Sequence, residues 1–227
     1  MPFELDLQHE TLRYTGHYAR PTLGLWGSGG VIIKGLLDAL GQHGVTLQQI
    51  QVSGSLPNAS ETVVTAHVPR IGTVKFGFDK IKLDFSNFSP AFFEAMPSTI
   101  TKLVAWIVKA VPDFKFASHR FYYFSHSLVK NATPQEVLKA LNVREIKSAG
   151  ISVGNGAIYN HTVPSRNWET QLLIDKSQQL AGGLYVSLDL VINAGEIDYG
   201  QVMVDGRRYL AEALAELDLV IPEAVVE

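Results

Sequence analysis

The chain has no cysteine, and that absence removes disulfides, thiolate zinc sites and cysteine nucleophiles from its chemistry. Long apolar runs are missing as well, and the longest stretches fall far short of the ~20 residues that span a bilayer. The first ten residues carry acids and no apolar core, which argues against a secretory leader. Nor is there an excess of either charge: 19 Lys and Arg against 22 Asp and Glu give a formal net charge of −3. The chain as a whole therefore gives no electrostatic reason to expect a nucleic acid or an anionic membrane. No HExxH zinc helix, Gly-x-Ser-x-Gly elbow, Asp-rich calcium loop or Gly-Lys-Ser/Thr phosphate loop occurs. The Asn-x-Ser/Thr triplets at Asn58, Asn131 and Asn160 read as turn and cap chemistry. Together these absences lead us to expect a cytoplasmic protein with no metal, no cofactor, no membrane contact and no nucleic-acid partner.

What is present is an ordinary folded composition, 46% hydrophobic and 18% charged over 227 residues, and a pattern that occurs twice. A strand-helix-strand-strand-strand-helix order runs from Leu12 to Val111 and again from Phe114 to Leu217. In the first pass Leu12–Ala19 is a strand. Val31–Gln42 is a helix with Ile32, Ile33, Leu36, Leu37 and Leu40 on one face, stopped by Gly41 and Gly44. Gln49–Ser55 and Thr62–Val68 alternate around the turn Pro57-Asn58-Ala59-Ser60 and form a hairpin. Val74–Ser86 changes phase between Phe78 and Ile81, which requires a bulge or turn near Asp79-Lys80. Ser89-Pro90 opens a short helical turn that Pro97 ends, and Ser98–Ala110 is the longer helix.

The second pass opens with an aromatic strand, Phe114–Leu128, and a helix started by the capping box Thr133-Pro134-Gln135-Glu136. Strands follow near Ala149–Val153, Trp168–Ile174 and Leu184–Ile192. The last helix runs from Asp198 to Leu217 and is weakened by Gly206. The fold class expected is α+β: two similar β-α-β-β-β-α lobes, residues 1–111 and 112–227, with a mainly antiparallel sheet and helices on one face. Val111-Pro112-Asp113 is a short boundary, so the lobes pack together or form a single domain. In layout alone this order is similar to tandem α+β binding modules, such as drug- and haem-binding regulator folds, and to the saddle of TATA-binding proteins. No residue motif accompanies the likeness.

The strands assign their faces. Leu184, Val186, Leu188, Leu190 and Ile192 form one apolar row, while Tyr185, Ser187, Asp189 and Val191 form the opposite row. Ile50 and Val52 point inward, and Gln49, Gln51 and Ser53, joined by Thr65 and His67, point outward. One face packs under helices; the other is built of hydrogen-bonding groups, as a solvated sheet or a recognition surface would be.

Two segments hold candidate chemistry. Trp26-Gly27-Ser28-Gly29-Gly30 precedes a helix, where backbone amides can hold an anion, but it lacks nucleotide-motif spacing and also reads as a connector. Ser118–His126 puts His119, Phe121 and Tyr123 on one face and Arg120, Tyr122, Phe124 and His126 on the other. His119, Arg120, Tyr122, Tyr123 and His126, with Trp26 and Tyr185, are the candidate ligand-binding residues, because rings beside a guanidinium supply stacking area and polar handles. Glu196 and Asp198 flank the last helix start, where Asp198 has a sufficient role as a cap. The function expected is non-catalytic: binding a small molecule or protein partner in an inter-lobe cleft or on the open sheet face, with a homodimer through the sheet edges as a further option. The alternative is an enzyme whose His119 or His126 meets a carboxylate only on folding.

Overall fold

The computed structural model describes residues 2–26, 29–54, 59–69, 72–86, 90–111, 113–142, 156–193 and 196–221. The fold is α+β. Its strands are β1 (Phe3–Tyr18), β2 (Ile50–Ser53), β3 (Val63–Val68), β4 (Gly72–Phe76), β5 (Lys80–Ser86), β6 (Phe116–Val129), β7 (Ala157–Val163), β8 (Trp168–Lys176), β9 (Gly183–Asn193) and β10 (Leu219–Val220). Its helices are α1 (Leu23–Trp26), α2 (Gly29–Leu40), α3 (Pro90–Ala110), α4 (Pro134–Ala140) and α5 (Tyr199–Glu216). The strands form one ten-stranded sheet in the order β2-β3-β4-β5-β1-β6-β9-β8-β7, with β10 added in parallel to the start of β1. The other registers fixed pair by pair are antiparallel. Among the described residues no helix is long and apolar enough to cross a membrane.

Contacts divide the chain into two compact units. Unit 1 is Met1–Thr11, Tyr122–Leu190 and Val204–Glu227; unit 2 is Leu12–Phe121 and Val191–Met203. In unit 2 the inward rows are Leu12 and Tyr14 of β1, Val64 and Ala66 of β3, Val74 and Phe76 of β4, and Ile81, Leu83 and Phe85 of β5, all buried. Helices α2 and α3 cover them. Gly35 of α2 lies against the Trp106 ring of α3, and that ring meets Phe76 edge-on at 5.5 Å. Each fully buried Leu, Ile or Phe contributes about 1.5–3 kcal/mol, so this layer carries unit 2. In unit 1, α5 covers the sheet through Leu210 and Leu214, with Tyr209 edge-on to Trp168 of β8 at 6.4 Å.

Several sequence expectations hold in detail. The phase change after Phe78 is a tight turn between β4 and β5, closed by Gly77 N–H donating to the Lys80 carbonyl at 2.9 Å. The Thr133–Glu136 capping box forms on both sides. The apolar row of β9 is buried as expected.

Others are corrected. The strand expected at Leu12–Ala19 starts earlier, because β1 begins at Phe3: Leu5 and Leu7 line the same cleft as Glu10, so the inward set passes from odd to even numbers, which takes one extra residue, as in a bulge. Pro97 does not end a helical turn, because α3 runs through it. An interior proline costs about 3 kcal/mol, but Met96, Ile100, Leu103 and Ile107 on the same helix are fully buried and offset it. Gln49 is not a strand residue; it ends a 3₁₀ turn whose N-cap is Thr46. Ser187 sits in the outward row yet is 2% exposed, a small side chain sheltered among longer ones. Strands β7 and β10 are additions to the expected set, while the expected strand at 149–153, the Gly27-Ser28 loop and most of the 57–60 turn lie outside the described residues.

Candidate functional site

Alternation along β6 sorts the candidate residues into two environments. His119 and Tyr123 face the helices. His119 is 1% exposed, and its Nδ1 is 2.9 Å from the Tyr14 hydroxyl. Tyr199 lies edge-on to both rings. Burial, and after it the neighbouring Tyr199, push the Tyr14 hydroxyl well above the usual phenol range. This cluster is a buried, ring-packed polar knot of the unit 2 core.

Tyr123, also buried, rests its ring on Gly206 of α5: a Cβ there would stand 2.8 Å from the hydroxyl. Gly206 is thus a close-approach residue, which is why a helix-weakening glycine is found mid-helix. Beside it, burial raises the Glu10 carboxyl and Arg207, 3.3 Å away, works against that rise. The adjoining cleft, lined by Leu5, Leu7, Ser125, Leu210 and Leu214 among others, has room for about one water molecule.

The outward face of unit 1 is different. Tyr122 and Phe124 of β6 and Tyr185 of β9 are half-buried there, and His126 continues the row. Ring centroids are 5.4 Å apart for Tyr122 and Phe124, 6.1 Å for Phe124 and Tyr185, and 5.2 Å for His126 and Tyr185. The Tyr122 and Tyr185 hydroxyls are hydrogen-bonded at 2.5 Å. Four rings therefore form a continuous stripe across two neighbouring strands, on the side of the sheet away from α5.

The end of the stripe has a defined protonation state. Ser177 Oγ accepts from the Gln179 and Leu180 amides at 3.2 and 2.8 Å, so its proton goes to His126 Nδ1 at 2.8 Å. The neutral ring then carries its hydrogen on Nε2. Burial first, and the His9 charge second, hold His126 below the usual imidazole range. A depressed histidine stabilises the fold above its unfolded titration range, and that contribution is lost as pH falls through the folded value. We expect wild type to lose stability relative to His126→Gln as pH falls from about 7.5 to about 5. Urea midpoints at the two pH values check this, and equal pH responses would refute the assignment.

The remaining candidates stand elsewhere. Arg120 is exposed on the outward phase of β6, in unit 2. Trp26 ends α1, half-buried, with its Nε1 enclosed and without a hydrogen-bond partner. Four described histidines pair with hydroxyls, His43 with Thr99, His119 with Tyr14, His126 with Ser177 and His161 with Tyr209, and His43 also meets the Gln42 side-chain amide. Among the described residues no group of three His, Asp or Glu is placed to hold a metal ion. Sequence reasoning leaves Phe124 and Ser177 out of the site. Alternation points to Phe124, but only the β8–β9 turn brings Ser177 to the stripe.

No protein-family model matches the chain, and no curated protein does. Among solved structures it is similar to a chain in the crystal structure of A. aeolicus tRNASec in complex with M. kandleri SerRS, with a TM-score of 0.29 and 10% identity over 96% of this chain. The match spans 30% of that chain.

Proposed function

We propose that this protein is a non-catalytic binding module whose working surface is the open sheet face, with the aromatic stripe of unit 1 as the contact for a small molecule or a protein segment. The observation that carries this reading is the run Tyr122, Phe124, Tyr185 and His126, four rings in mutual contact on the side of the sheet away from α5. Rings with polar tips supply large contact area at low conformational cost. A row of half-buried rings along neighbouring strands suits a flat ligand or an extended peptide. The strand order supports the expectation of two related halves: from the adjacent β1 and β6 it runs outward as β5-β4-β3-β2 on one side and β9-β8-β7 on the other.

Ligand-observed NMR of an aromatic fragment library tests the reading. Fragments that bind wild type are expected to lose at least about tenfold in affinity on the Tyr122→Ala/Tyr185→Ala variant, as for truncation of central aromatic anchors. Fragments that bind the variant equally well would place the site elsewhere.

A further inference from the structure

The outward face of unit 2 has another character. Alternation puts Arg13, Thr15 and His17 of β1, Thr65 and His67 of β3, Thr73 and Lys75 of β4, and Lys80, Lys82 and Asp84 of β5 on this side, opposite the buried rows. Lys75 and Lys82 are direct cross-strand partners, an arrangement that destabilises a ladder when nothing neutralises it. Asp84 serves two cations at once, bonded to Arg13 and 3.1 Å from Lys82. Burial raises its carboxyl, but the two cations outweigh burial and hold it below the usual range. Lys75 is exposed, and among the described residues no carboxylate lies within ion-pair distance of it. Lys80 is paired with the exposed Asp79, at 3.6 Å. A chain with a net charge of −3 thus gathers cations on one sheet face around Asp84.

We propose that this face binds the phosphate backbone of a nucleic-acid duplex. The cations recur on alternate residues of β5 and on the strands beside it, a spaced array that fits a polymer of phosphates better than a single anion. The interleaved Thr65 and Thr73 hydroxyls are donors of the kind that position a backbone. These outward positions include no Phe, Tyr or Trp, only the imidazoles of His17 and His67, so the face offers little platform for stacking unpaired bases, and contact is through phosphates without sequence preference. The net charge of the whole chain conceals this array, because most of the acids lie elsewhere. The inference is independent of the stripe in unit 1.

Fluorescence anisotropy with a labelled 20-base-pair DNA duplex tests it, using the intact chain. Three phosphate contacts would give a slope of about −2.7 for log K against log salt. Lys75→Glu is expected to weaken binding at least tenfold at about 0.1 M salt, and Lys75→Gln to lower the slope by about one contact. Lys109→Glu, the same charge change at the end of α3, should leave affinity within about twofold, because exposed charges beyond a Debye length are screened. Circular dichroism confirms that each variant is folded. The proposal is overturned if the duplex does not bind, if Lys109→Glu weakens binding as much as Lys75→Glu, or if a poly-glutamate peptide of equal charge competes as well as unlabelled duplex, which would make the partner an acidic protein.

Discussion

Gly35→Ala is expected to destabilise the protein by about 2–4 kcal/mol, the cost of overpacking a tight helix contact. A Cβ at this position would lie 2.0 Å from the Trp106 ring, so the indole must leave its place against Phe76 or α2 must move off α3. The sign of the effect makes the test specific. In an open helix position Ala is better than Gly by about 1 kcal/mol, and Gly30, where an added Cβ meets nothing within 4 Å, should show that gain when replaced by Ala. In a Trp106→Leu background the Gly35→Ala cost should shrink to near zero or reverse. Chemical denaturation of wild type, the two single variants and the double variant gives the coupling energy directly. An unchanged cost in the Trp106→Leu background would show that α2 and α3 do not pack in this way.

Gly72→Ala is expected to cost about 3–5 kcal/mol, combining left-handed backbone strain with a main-chain clash. The residue has φ of 153° and a Cβ would lie 1.9 Å from the Asp84 carbonyl oxygen. Unlike a side chain, that oxygen cannot swing aside without breaking the β4–β5 ladder. A chain of this size loses about 2–4 °C per kcal/mol, so the melting temperature should fall by about 6–20 °C. Gly44→Ala is the control. Its φ is 80° but its surroundings are open, so only the backbone cost remains, about 1 kcal/mol. Similar losses for the two variants would mean that Gly72 does not sit over the neighbouring strand.

Much of this can be read from the sequence where a strong period meets a buried face. The row Leu184 to Ile192 and the split of β6 into His119 and Tyr123 against Tyr122 and His126 follow from alternation alone. Strand β7 does not, because an edge strand with Ile158 58% exposed and Asn160, His161 and Thr162 beside it has no apolar row to betray it. The length of β1 is hidden by Asp6, His9 and Glu10, and α3 by the expectation that proline stops a helix. The stripe is half visible: the sequence points to Tyr122 and Tyr185 separately, but their hydroxyl contact depends on the pairing of β6 with β9, a long-range register that periodicity does not carry. The cation array is invisible for a related reason, since Arg13, Lys75 and Lys82 meet only through strand order.

The most direct measurement of the central claim, that one sheet face is closed by helices and the other is open for binding, uses the absence of native cysteine. Single cysteines would be placed at Gln171 and Tyr185 on the outward face and at Leu172 and Val186 beneath α5, and labelled under native conditions. Outward thiols should react within about tenfold of the unfolded chain, whereas inward thiols should be slower by at least about 10³, reacting only through opening of a fold several kcal/mol stable. Protection of Gln171→Cys and Tyr185→Cys equal to that of the inward pair would show the outward face to be covered, and would contradict the account.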